Sequence, residues 1–584
     1  MRGFPGGSVR DWWPTAEIGR SVTARPGSAL RACDDAAMGA LSRRAEGRHT
    51  RRERGRHAFF GRPAYRRAVE GEPECTRQGL DRLRAARIAL AAALIATAAG
   101  SAAPSQVQAA RPPVVLLVLD ELPGDALLGP DGRIDRVRYP NFAALARAGT
   151  WFPNAHTVFD DTRQAVPLIL DGRRPRRGGS RSREDHPRTI FDLLGRRGYR
   201  VVASEDATAL CPRRWCPGSP ARNPDTLLRL RAGRPQRLRR FVRRISRGGR
   251  PALYVKHALL PHVPYMYLPS GRRTRNGVRD PIPGMNSVRG FGDPFLTRHN
   301  EQRFLLQLGF IDRELGRLMR RLRRQRLFDR ALIVVTADHG TAFEIGVGDR
   351  RQVTRANIDE VAPVPLFVKA PGQRRGRVRR AYASTLDVLP TIADALNVPV
   401  PFRVDGRSVF SRAVERRRTV RIPSRDFRRT VVISARAYEA RRRAIVRRRL
   451  ARYGWGGLSS LYTGIGPARA LIGRALSELR PAKPGAARAR FVFGRRLRAV
   501  RRRSGLMPTH VAGSIRGGRR GARRSLALAV NGRIEVTGRS WRLRGSRSER
   551  FAMNVPEAVL REGRNDVRLL EVGRGAALRL LGRA

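Results

Sequence analysis

Acidic side chains follow two separate apolar runs of the sequence, and a histidine accompanies one of them. Asp120 and Glu121 end the run VVLLVLDE, and Asp338 and His339 follow LIVVTA. One acidic pair at such a place is common in helix capping, whereas two pairs that include an imidazole favour a divalent-cation site. Thr162, in TVFDDTRQAVPLILDG, would supply the reactive group. A hydroxyl bound to a cation ionises more readily, so it becomes a usable nucleophile near neutral pH.

Thr162 also has an ordinary interpretation, as the N-cap of the apolar helix that follows it. The two interpretations are compatible, because the start of a helix is a suitable place for the nucleophile. The backbone amides there can stabilise negative charge on a transferring phosphoryl group. Pro167 has no N–H group, so we expect this helix to start late or to bend.

Short apolar runs alternate with amphipathic segments from Arg111 onward. The predicted strands are PVVLLVLDE, YRVVASED, ALYVKHALL, ALIVVTADHG and VPLFVKAPG, and the predicted helices are NFAALARAG, TIFDLLGRRG, FLLQLGFIDRELGRLMRRLRRQ and TLDVLPTIADALNV. This alternation predicts an α/β fold with a doubly wound, mainly parallel sheet, in which chemistry gathers beyond the carboxyl ends of the strands. We assign residues 111–412 to this catalytic domain.

The chain changes character after the catalytic domain. Residues 413–505 are an arginine-rich connecting region whose organisation the sequence does not indicate. Short strand-like runs then fill residues 506–584, with Asn531-Gly532 as a good hairpin turn, and they predict a small C-terminal β-sandwich.

The amino-terminal part suggests export. Residues 1–80 have no sustained apolar period and are predicted to be a disordered or mis-called tail, which contains Cys33 and Cys75. Residues 81–110 combine arginines with a short apolar run, which is typical of a signal peptide or, uncleaved, of a membrane anchor. A buried alanine-rich helix is the alternative.

Cys211 and Cys216 lie in the proline-containing segment CPRRWCPG. Four intervening residues suit a small disulfide loop in an exported protein. A zinc site would need two further ligands nearby, and none is evident.

The formal charge of +72 would usually indicate a nucleic-acid binder. However, only three of the 120 basic residues are lysines, and the arginines are spread through nearly every segment, as expected from GC-rich coding. We therefore do not favour a nucleic-acid partner. The charge does imply attraction to anionic surfaces, such as phospholipid or a polyanionic polymer.

Six segments in order resemble the sulfatase/alkaline phosphatase superfamily over residues 112–410. They are VVLLVLDE, YPNFAALARAGTWFPNAHT, TRQAVPLILDG, PHVPY, TADHG and the closing VPLFVKAPG…STLDVLPTIADALNV…DGRSVF. The LLPHVPYMYLPSGR and CPRRWC segments are similar to those of exported sulfatase-like proteins of bacterial envelopes.

The resemblance implies one divalent metal ion (Mn, Zn, Mg or Ca) held by Asp120, Thr162, Asp338 and His339, with Glu121 as a further ligand. It also implies that His262, in PHVPY, contacts the transferred group or the leaving oxygen. Judged alone, a loop histidine beside two prolines is equally well explained as structural.

The sequence departs from the family pattern in two places. Sulfatases carry a Cys or Ser in a C/S-x-P-S-R context, which is converted to formylglycine, whereas this position holds Thr162 followed by Arg-Gln-Ala-Val. Two-zinc members use Asp-x-x-x-His, and no Asp lies four residues before His257 or His262. A threonine with one metal is most similar to the lipoteichoic-acid synthase and phosphoethanolamine transferase branch.

The leading hypothesis is therefore an exported, metal-dependent hydrolase or transferase of phosphate esters or phosphodiesters in the cell envelope. Thr162 would be its nucleophile, and an anionic envelope polymer or lipid its substrate, with possible membrane association. A sulfatase without formylglycine is the near alternative, and a non-catalytic envelope-binding protein is the alternative from another class.

Overall fold

The structure of the protein is a computed structural model. It describes residues 111–583, apart from 180–181, 219–229, 276–291, 345–348, 493, 518–522 and 544–545. All of these residues lie in one compact unit. The predicted tail 1–80, the predicted signal segment 81–110 and the cysteines at 33 and 75 lie outside the described residues.

A seven-stranded sheet forms the centre of the first part of the chain. Its strands are β1 (Val114–Asp120), β2 (Thr150–Trp151), β3 (Arg200–Glu205), β4 (Ala252–Pro261), β5 (Leu332–Ala337), β6 (Leu366–Lys369) and β7 (Arg377–Val378). Their spatial order is β3–β4–β1–β5–β6–β2–β7. The strands β3, β4, β1 and β5 run parallel to one another. The strand β6 is antiparallel to both β5 and β2, and β7 is parallel to β2.

Both faces of the central strands are covered. Every residue of β1, β4, β5 and β6 is buried. Because successive side chains of a strand point to opposite faces, burial without alternation requires packing on both sides. The predicted α/β fold with a mainly parallel sheet is confirmed.

Helices of very different length connect these strands. They are α1 (Pro140–Ala148), α2 (Thr162–Asp171), α3 (Ile190–Gly195), α4 (Arg234–Arg243), α5 (Pro294–Arg324), α6 (Ile358–Val361) and α7 (Val388–Ala395). Helices α4 and α5 both pack against β4, and α1 packs against β6. Among the described residues, none of the helices has the length and apolar character that crossing a membrane requires.

Residues 413–505 contain a hairpin, a long helix and several short elements. These are α8 (Arg412–Glu415), β8 (Thr419–Pro423), β9 (Thr430–Ser434), α9 (Ala435–Tyr453), α10 (Ser460–Thr463), α11 (Leu476–Leu479), β10 (Arg488–Phe491) and α12 (Gly494–Leu497). The helix α9 packs against α6, which precedes β6 of the central sheet. The boundaries at residues 412 and 505 remain predictions.

The carboxyl-terminal part forms two four-stranded sheets. Its strands are β11 (His510–Arg516), β12 (Ser525–Val530), β13 (Arg533–Arg539), β14 (Glu549–Asn554), β15 (Val567–Val572), β16 (Leu578–Leu580) and β17 (Gly582–Arg583). One sheet has the order β14–β11–β10–β17 and the other β13–β12–β15–β16. Asn531 and Gly532, which have φ values of 53° and 85°, form the predicted turn between β12 and β13.

Candidate active site

The two predicted acidic strand ends meet at one edge of the central sheet, because β1 and β5 are adjacent and parallel. Asp338 joins them. Its Oδ1 accepts hydrogen bonds from the backbone N–H of Glu121 at 3.1 Å and of His339 at 2.7 Å. All of these side chains, and that of Asp120, are fully buried.

The backbone at the end of β1 is distorted where the acids begin. The pairing with β4 shifts register between Leu119 and Asp120, and Glu121 has a left-handed φ of 61°. Such a conformation costs a residue with a side chain about 1–3 kcal/mol, so the surrounding packing must hold it. The distortion leaves Asp120 and Glu121 both buried at the strand end.

Thr162 lies beside this acidic edge. Its hydroxyl oxygen is 3.5 Å from Oδ2 of Asp120 and 3.2 Å from Nε2 of His339. The structure corrects two expectations about α2. The helix begins at Thr162 rather than late, with Pro167 inside it, and its N-cap is Asp161, whose side chain accepts from the N–H of Arg163 at 2.9 Å.

Asp160, the other acid before Thr162, fixes the neighbouring loop. Its carboxylate accepts hydrogen bonds from the backbone N–H of Val353 at 2.6 Å and from Nε of Arg425 at 2.9 Å. The loop that contains Val353 also carries Arg350, which reaches into the site.

Two groups of side chains could each hold a metal ion. Within each group, the ligand atoms all lie within 4.8 Å of one another. The first contains Asp120, His257 and Asp338, and the second contains Asp120, Glu121 and His262. Asp120 belongs to both. The two groups therefore overlap, and His257 and His262 extend the ligand set that the resemblance implies.

Unpaired buried atoms show that these residues fit a cation. Within the described part of the chain, Oδ1 of Asp120, Oδ2 of Asp338 and both ring nitrogens of His257 are buried without a hydrogen-bond partner. A buried acceptor without a donor is costly, and a divalent ion is a partner that carboxylate oxygens and imidazole nitrogens share.

The protonation of the carboxylates indicates the same need for positive charge. Burial, followed by the charge of Glu121, raises the pKa of Asp120 to about 7. Burial, followed by the charge of Asp120, raises the pKa of Asp338 to about 6. Both carboxyl groups are therefore harder to ionise than an ordinary aspartate, because like charges in a dry site oppose each other's ionisation, and a bound cation would relieve this repulsion.

Glu121 differs from its neighbours because it has a cationic partner. Nη2 of Arg350 lies 2.6 Å from its Oε1, and Nε of Arg351 lies 3.6 Å from the same oxygen. Although burial would raise the pKa of Glu121, the charge of Arg350, with a smaller contribution from that of Arg351, lowers it to about 2. Glu121 is therefore ionised at neutral pH.

His262 faces Glu121 through an unprotonated nitrogen. Its Nδ1 donates to the carbonyl oxygen of Val263 at 2.7 Å, and its Nε2 lies 3.3 Å from Oε1 of Glu121. Burial, which outweighs the attraction of Glu121, holds the pKa of His262 well below its usual range. The neutral ring thus directs a lone pair at a carboxylate, an arrangement that calls for a cation or proton between them.

His339 is oriented in the same way. Its Nδ1 donates to the carbonyl oxygen of Gly340 at 2.9 Å, so Nε2 is the ring nitrogen that faces the Thr162 hydroxyl. Burial would lower the pKa of His339, but the charges of Asp338, then Asp120, raise it. A histidine in these surroundings can accept the hydroxyl proton.

The structure thus brings together Asp120, Glu121, Thr162, His262, Asp338 and His339, which are all the predicted site residues. Sequence reasoning missed three further members, which are His257, Arg350 and Arg351. His257 lies inside β4 opposite Val118 of β1. A histidine in an otherwise apolar strand next to an acidic strand end was the available signal.

Comparison with known proteins finds a family match over part of the chain. Residues 235–398 match the family model described as Sulfatase, a range that includes His262, Asp338 and His339. Asp120, Glu121 and Thr162 precede it. The multifunctional alkaline phosphatase superfamily protein PehA of Trinickia caryophylli is 33% identical over 103 residues, which is 17% of this chain and 19% of that protein. A choline-sulfatase of Rhizobium meliloti is 31% identical over 103 residues, which is 18% of this chain and 19% of that protein.

The chain therefore spans about a fifth of the length of these curated relatives. Among solved structures, a phosphonate monoester hydrolase of Silicibacter pomeroyi is 21% identical, with a TM-score of 0.38. That match covers 53% of this chain and 79% of the other.

Proposed function

We propose that this chain, which matches the Sulfatase family model over residues 235–398 and short stretches of sulfatase and alkaline phosphatase superfamily relatives, is a metal-dependent hydrolase or transferase of phosphate esters with Thr162 as its nucleophile. The observation that carries the proposal is the position of the Thr162 hydroxyl, 3.2 Å from Nε2 of His339 and 3.5 Å from Asp120. A buried hydroxyl in contact with both a proton acceptor and a cation-binding carboxylate has the surroundings of a nucleophile.

In the proposed reaction, Oγ1 of Thr162 forms a bond to phosphorus while the bond from phosphorus to the leaving oxygen breaks. The hydroxyl proton moves to Nε2 of His339, which passes it to the leaving oxygen. Water or an alcohol acceptor then loses a proton to Nε2 of His339 as it attacks the phosphothreonine, and His339 returns that proton to the departing Thr162 oxygen. His262, whose hydrogen is engaged with the Val263 carbonyl, orients groups at the site rather than donating a proton.

Asp120, Asp338 and His257, or Asp120, Glu121 and His262, would hold the divalent ion. When bound, such an ion offsets negative charge on the transferred group and favours ionisation of a neighbouring hydroxyl. Arg350 and Arg351 add fixed positive charge beside Glu121. Catalysis of phosphoryl transfer consists mostly of such positioning and electrostatics.

Sulfate esters are the second candidate substrate, since the matching family model is Sulfatase and one relative is a choline-sulfatase. The residue at the nucleophile position is an argument against it. Threonine is not the Cys or Ser that formylglycine formation requires, so the proposal favours phosphorus over sulfur. Binding without catalysis is the alternative from another class.

Export to the cell envelope is also part of the proposal. The disulfide between Cys211 and Cys216 supports it, because such bonds persist in oxidising compartments. The envelope substrate and membrane association are proposals of the same kind.

Thr162 variants test the chemistry. We expect Thr162→Val, which keeps the shape but removes the hydroxyl, to abolish hydrolysis of bis(p-nitrophenyl) phosphate in the presence of Mn²⁺. Thr162→Ser should retain measurable turnover, because it keeps the attacking oxygen. Intact-mass analysis during turnover should show one added p-nitrophenyl phosphoryl group on the wild-type protein and none on the Val variant.

Three results would contradict parts of the proposal. Unchanged turnover by Thr162→Val would remove the nucleophile assignment. Faster cleavage of p-nitrophenyl sulfate than of the phosphodiester would favour the sulfatase. Absence of turnover together with absence of Mn²⁺ binding by calorimetry would favour a non-catalytic binding protein.

A further inference from the structure

The two most exposed large apolar side chains among the described residues lie on neighbouring loops. Trp455 is 62% exposed and Val137 is 61% exposed. Val137 belongs to the loop 129–138, which lies between β1 and α1, and Trp455 belongs to the loop 454–459, which joins α9 to α10. Single exposed apolar residues are ordinary on a protein surface, whereas a joined pair forms a patch.

Hydrogen bonds hold these two loops together on either side of the exposed residues. Oδ2 of Asp135 accepts from the backbone N–H of Gly456 at 2.9 Å. Arg138 donates from Nε to the carbonyl oxygen of Gly457 at 3.0 Å and from Nη2 to that of Tyr453 at 3.2 Å. The exposed valine and tryptophan are each the immediate neighbour of a residue that joins the loops. The two joined loops form the tip.

The backbone around Trp455 has a left-handed glycine on each side. Gly454 and Gly456 have φ values of 61° and 75°, which favour glycine. A Cβ on Gly454 would also meet the Ser460 side chain at 3.1 Å. An indole on such a constrained turn loses less conformational freedom on binding than one on a flexible loop, because the backbone is already ordered.

Positive charge accompanies the apolar side chains of the tip. Arg133 and Arg136 of the first loop are exposed, and so is Arg447, which lies in the last two turns of α9. Asp131 is exposed as well, and its Oδ1 accepts from the backbone N–H of Arg133 at 3.0 Å. The tip therefore combines exposed apolar groups with a net positive charge, which attracts an anionic surface.

The tip lies on the same side of the central sheet as the candidate active site. The loop 121–139 leaves the carboxyl end of β1, the edge at which Asp120 and Glu121 lie. The helix α9 passes this edge, since Arg442 pairs with Asp125. The carboxyl end of α9 then reaches the tip about 16 Å further along the helix. A surface bound at the tip would thus be on the active-site side of the sheet.

We propose that the tip docks on the surface of a bilayer that contains anionic phospholipid. The indole and the valine would enter the headgroup region, where tryptophan is favoured, while the arginines contact lipid phosphates. A polyanion dissolved in water would not bury these apolar groups. A protein partner would need a larger patch, because stable interfaces bury roughly 800 Å² on each side.

Docking goes beyond the proposed catalytic function and does not depend on it. It assigns the proposed membrane association to specific residues. Thr162→Val should bind vesicles as well as the wild-type protein does, and Trp455→Ala should hydrolyse soluble bis(p-nitrophenyl) phosphate at the wild-type rate. The failure of one proposal is therefore distinguishable from the failure of the other.

The experiment measures binding of the full chain to sedimented vesicles, made either of phosphatidylcholine alone or of phosphatidylcholine mixed with phosphatidylglycerol. We expect stronger binding to the mixed vesicles. Trp455→Ala should lower the partition coefficient roughly tenfold, the effect of losing the burial of one large apolar side chain. The triple variant Val137→Ala/Arg133→Gln/Arg136→Gln should lower it by at least about tenfold, because two cations leave the lipid surface.

The matched control makes the same three changes at exposed positions in and just before β7, at the opposite edge of the sheet. It is Val378→Ala/Arg374→Gln/Arg375→Gln, and we expect it to bind nearly as well as the wild-type protein. Thermal melting should show that all variants are folded, because the substituted side chains are exposed.

Fluorescence quenching tests whether the indole enters the bilayer. Mixed vesicles in which the phosphatidylcholine has brominated acyl chains should quench the tryptophan fluorescence of the wild-type protein. The variant Trp455→Phe keeps an apolar ring at the tip, so it should still bind, but its fluorescence should be quenched less.

Four outcomes overturn the proposal. Absence of wild-type binding to the anionic vesicles would remove the docking surface. Equal losses in the test and control triple variants would mean that general charge, not the tip, attracts the lipid. Equal quenching of the wild-type protein and Trp455→Phe would show that the indole stays outside the bilayer. A dimer in solution that Trp455→Ala dissociates would assign the tip to a second copy of the chain instead.

Discussion

A buried ion pair connects the loop that follows Asp120 and Glu121 to α9. Nη2 of Arg442 lies 2.6 Å from Oδ1 of Asp125, and its Nε lies 2.8 Å from Oδ2. The two side chains are only 6% and 3% exposed. The guanidinium also donates to Oδ1 of Asn154 at 3.0 Å and to the carbonyl oxygen of Pro153 at 2.6 Å.

We predict that Arg442→Met lowers the free energy of unfolding by about 3–5 kcal/mol, because it leaves the Asp125 carboxylate buried without a cation. This is a large share of a typical total of about 5–15 kcal/mol. The neighbouring residue Arg443 provides the matched control. It is 61% exposed and lies 3.6 Å from Glu439, so Arg443→Met should cost less than about 0.5 kcal/mol.

Urea unfolding followed by circular dichroism measures both variants. A double variant, Asp125→Leu/Arg442→Met, removes both charges and should recover most of the loss, because the penalty arises from the orphaned carboxylate rather than from the missing attraction. The reasoning is refuted if Arg442→Met costs no more than Arg443→Met, or if the double variant is less stable than the single one.

Two further predictions concern stability. His299 of α5 and His510 of β11 are buried with their Nε2 atoms 3.0 Å apart, and burial, then the charge of Arg303, holds both pKa values well below the ordinary 6.5. Only the unfolded chain takes up these protons, so stability should fall as the pH drops below 6.5, by about 1 kcal/mol per histidine between pH 7 and 5.5. Urea unfolding of His510→Leu across this range should show a shallower pH dependence, and curves parallel to those of the wild-type protein would contradict the assignment. Separately, Cys211→Ser/Cys216→Ser opens a short closed loop and should cost about 2 kcal/mol; equal stability of this variant and the oxidised wild-type protein would contradict it.

The sequence was sufficient for the elements of the central sheet. All five predicted strands and all four predicted helices of the catalytic part are present, since unbroken apolar runs between amphipathic segments are buried on both faces. The strands of the C-terminal sandwich and its Asn-Gly turn were predictable for a similar local reason. The predicted disulfide between Cys211 and Cys216 is also present. It was predictable because two cysteines five positions apart lie close together whatever the surrounding fold.

The sequence was not sufficient for the parts of the chain where arginine dominates. Residues 413–505 carry no clear apolar period, yet α9 uses its arginines to reach buried acids of the catalytic part. Arg442 binds Asp125, and Arg449 lies 3.2 Å from Glu301. Ion pairs between residues far apart in the chain leave no local sequence pattern, so the sequence does not predict them.

For this protein, the sequence by itself determined which segments become strands and helices and which acids and hydroxyl stand at their ends, because burial and backbone preference act over neighbouring residues. Only the tertiary structure decided that His257 and His262 lie beside Asp120 and that Arg350 pairs with Glu121. These arrangements depend on the order of strands in the sheets and on loops that bring distant residues together. Charges and metal ligands act through space, and their spacing in the chain does not record where they meet.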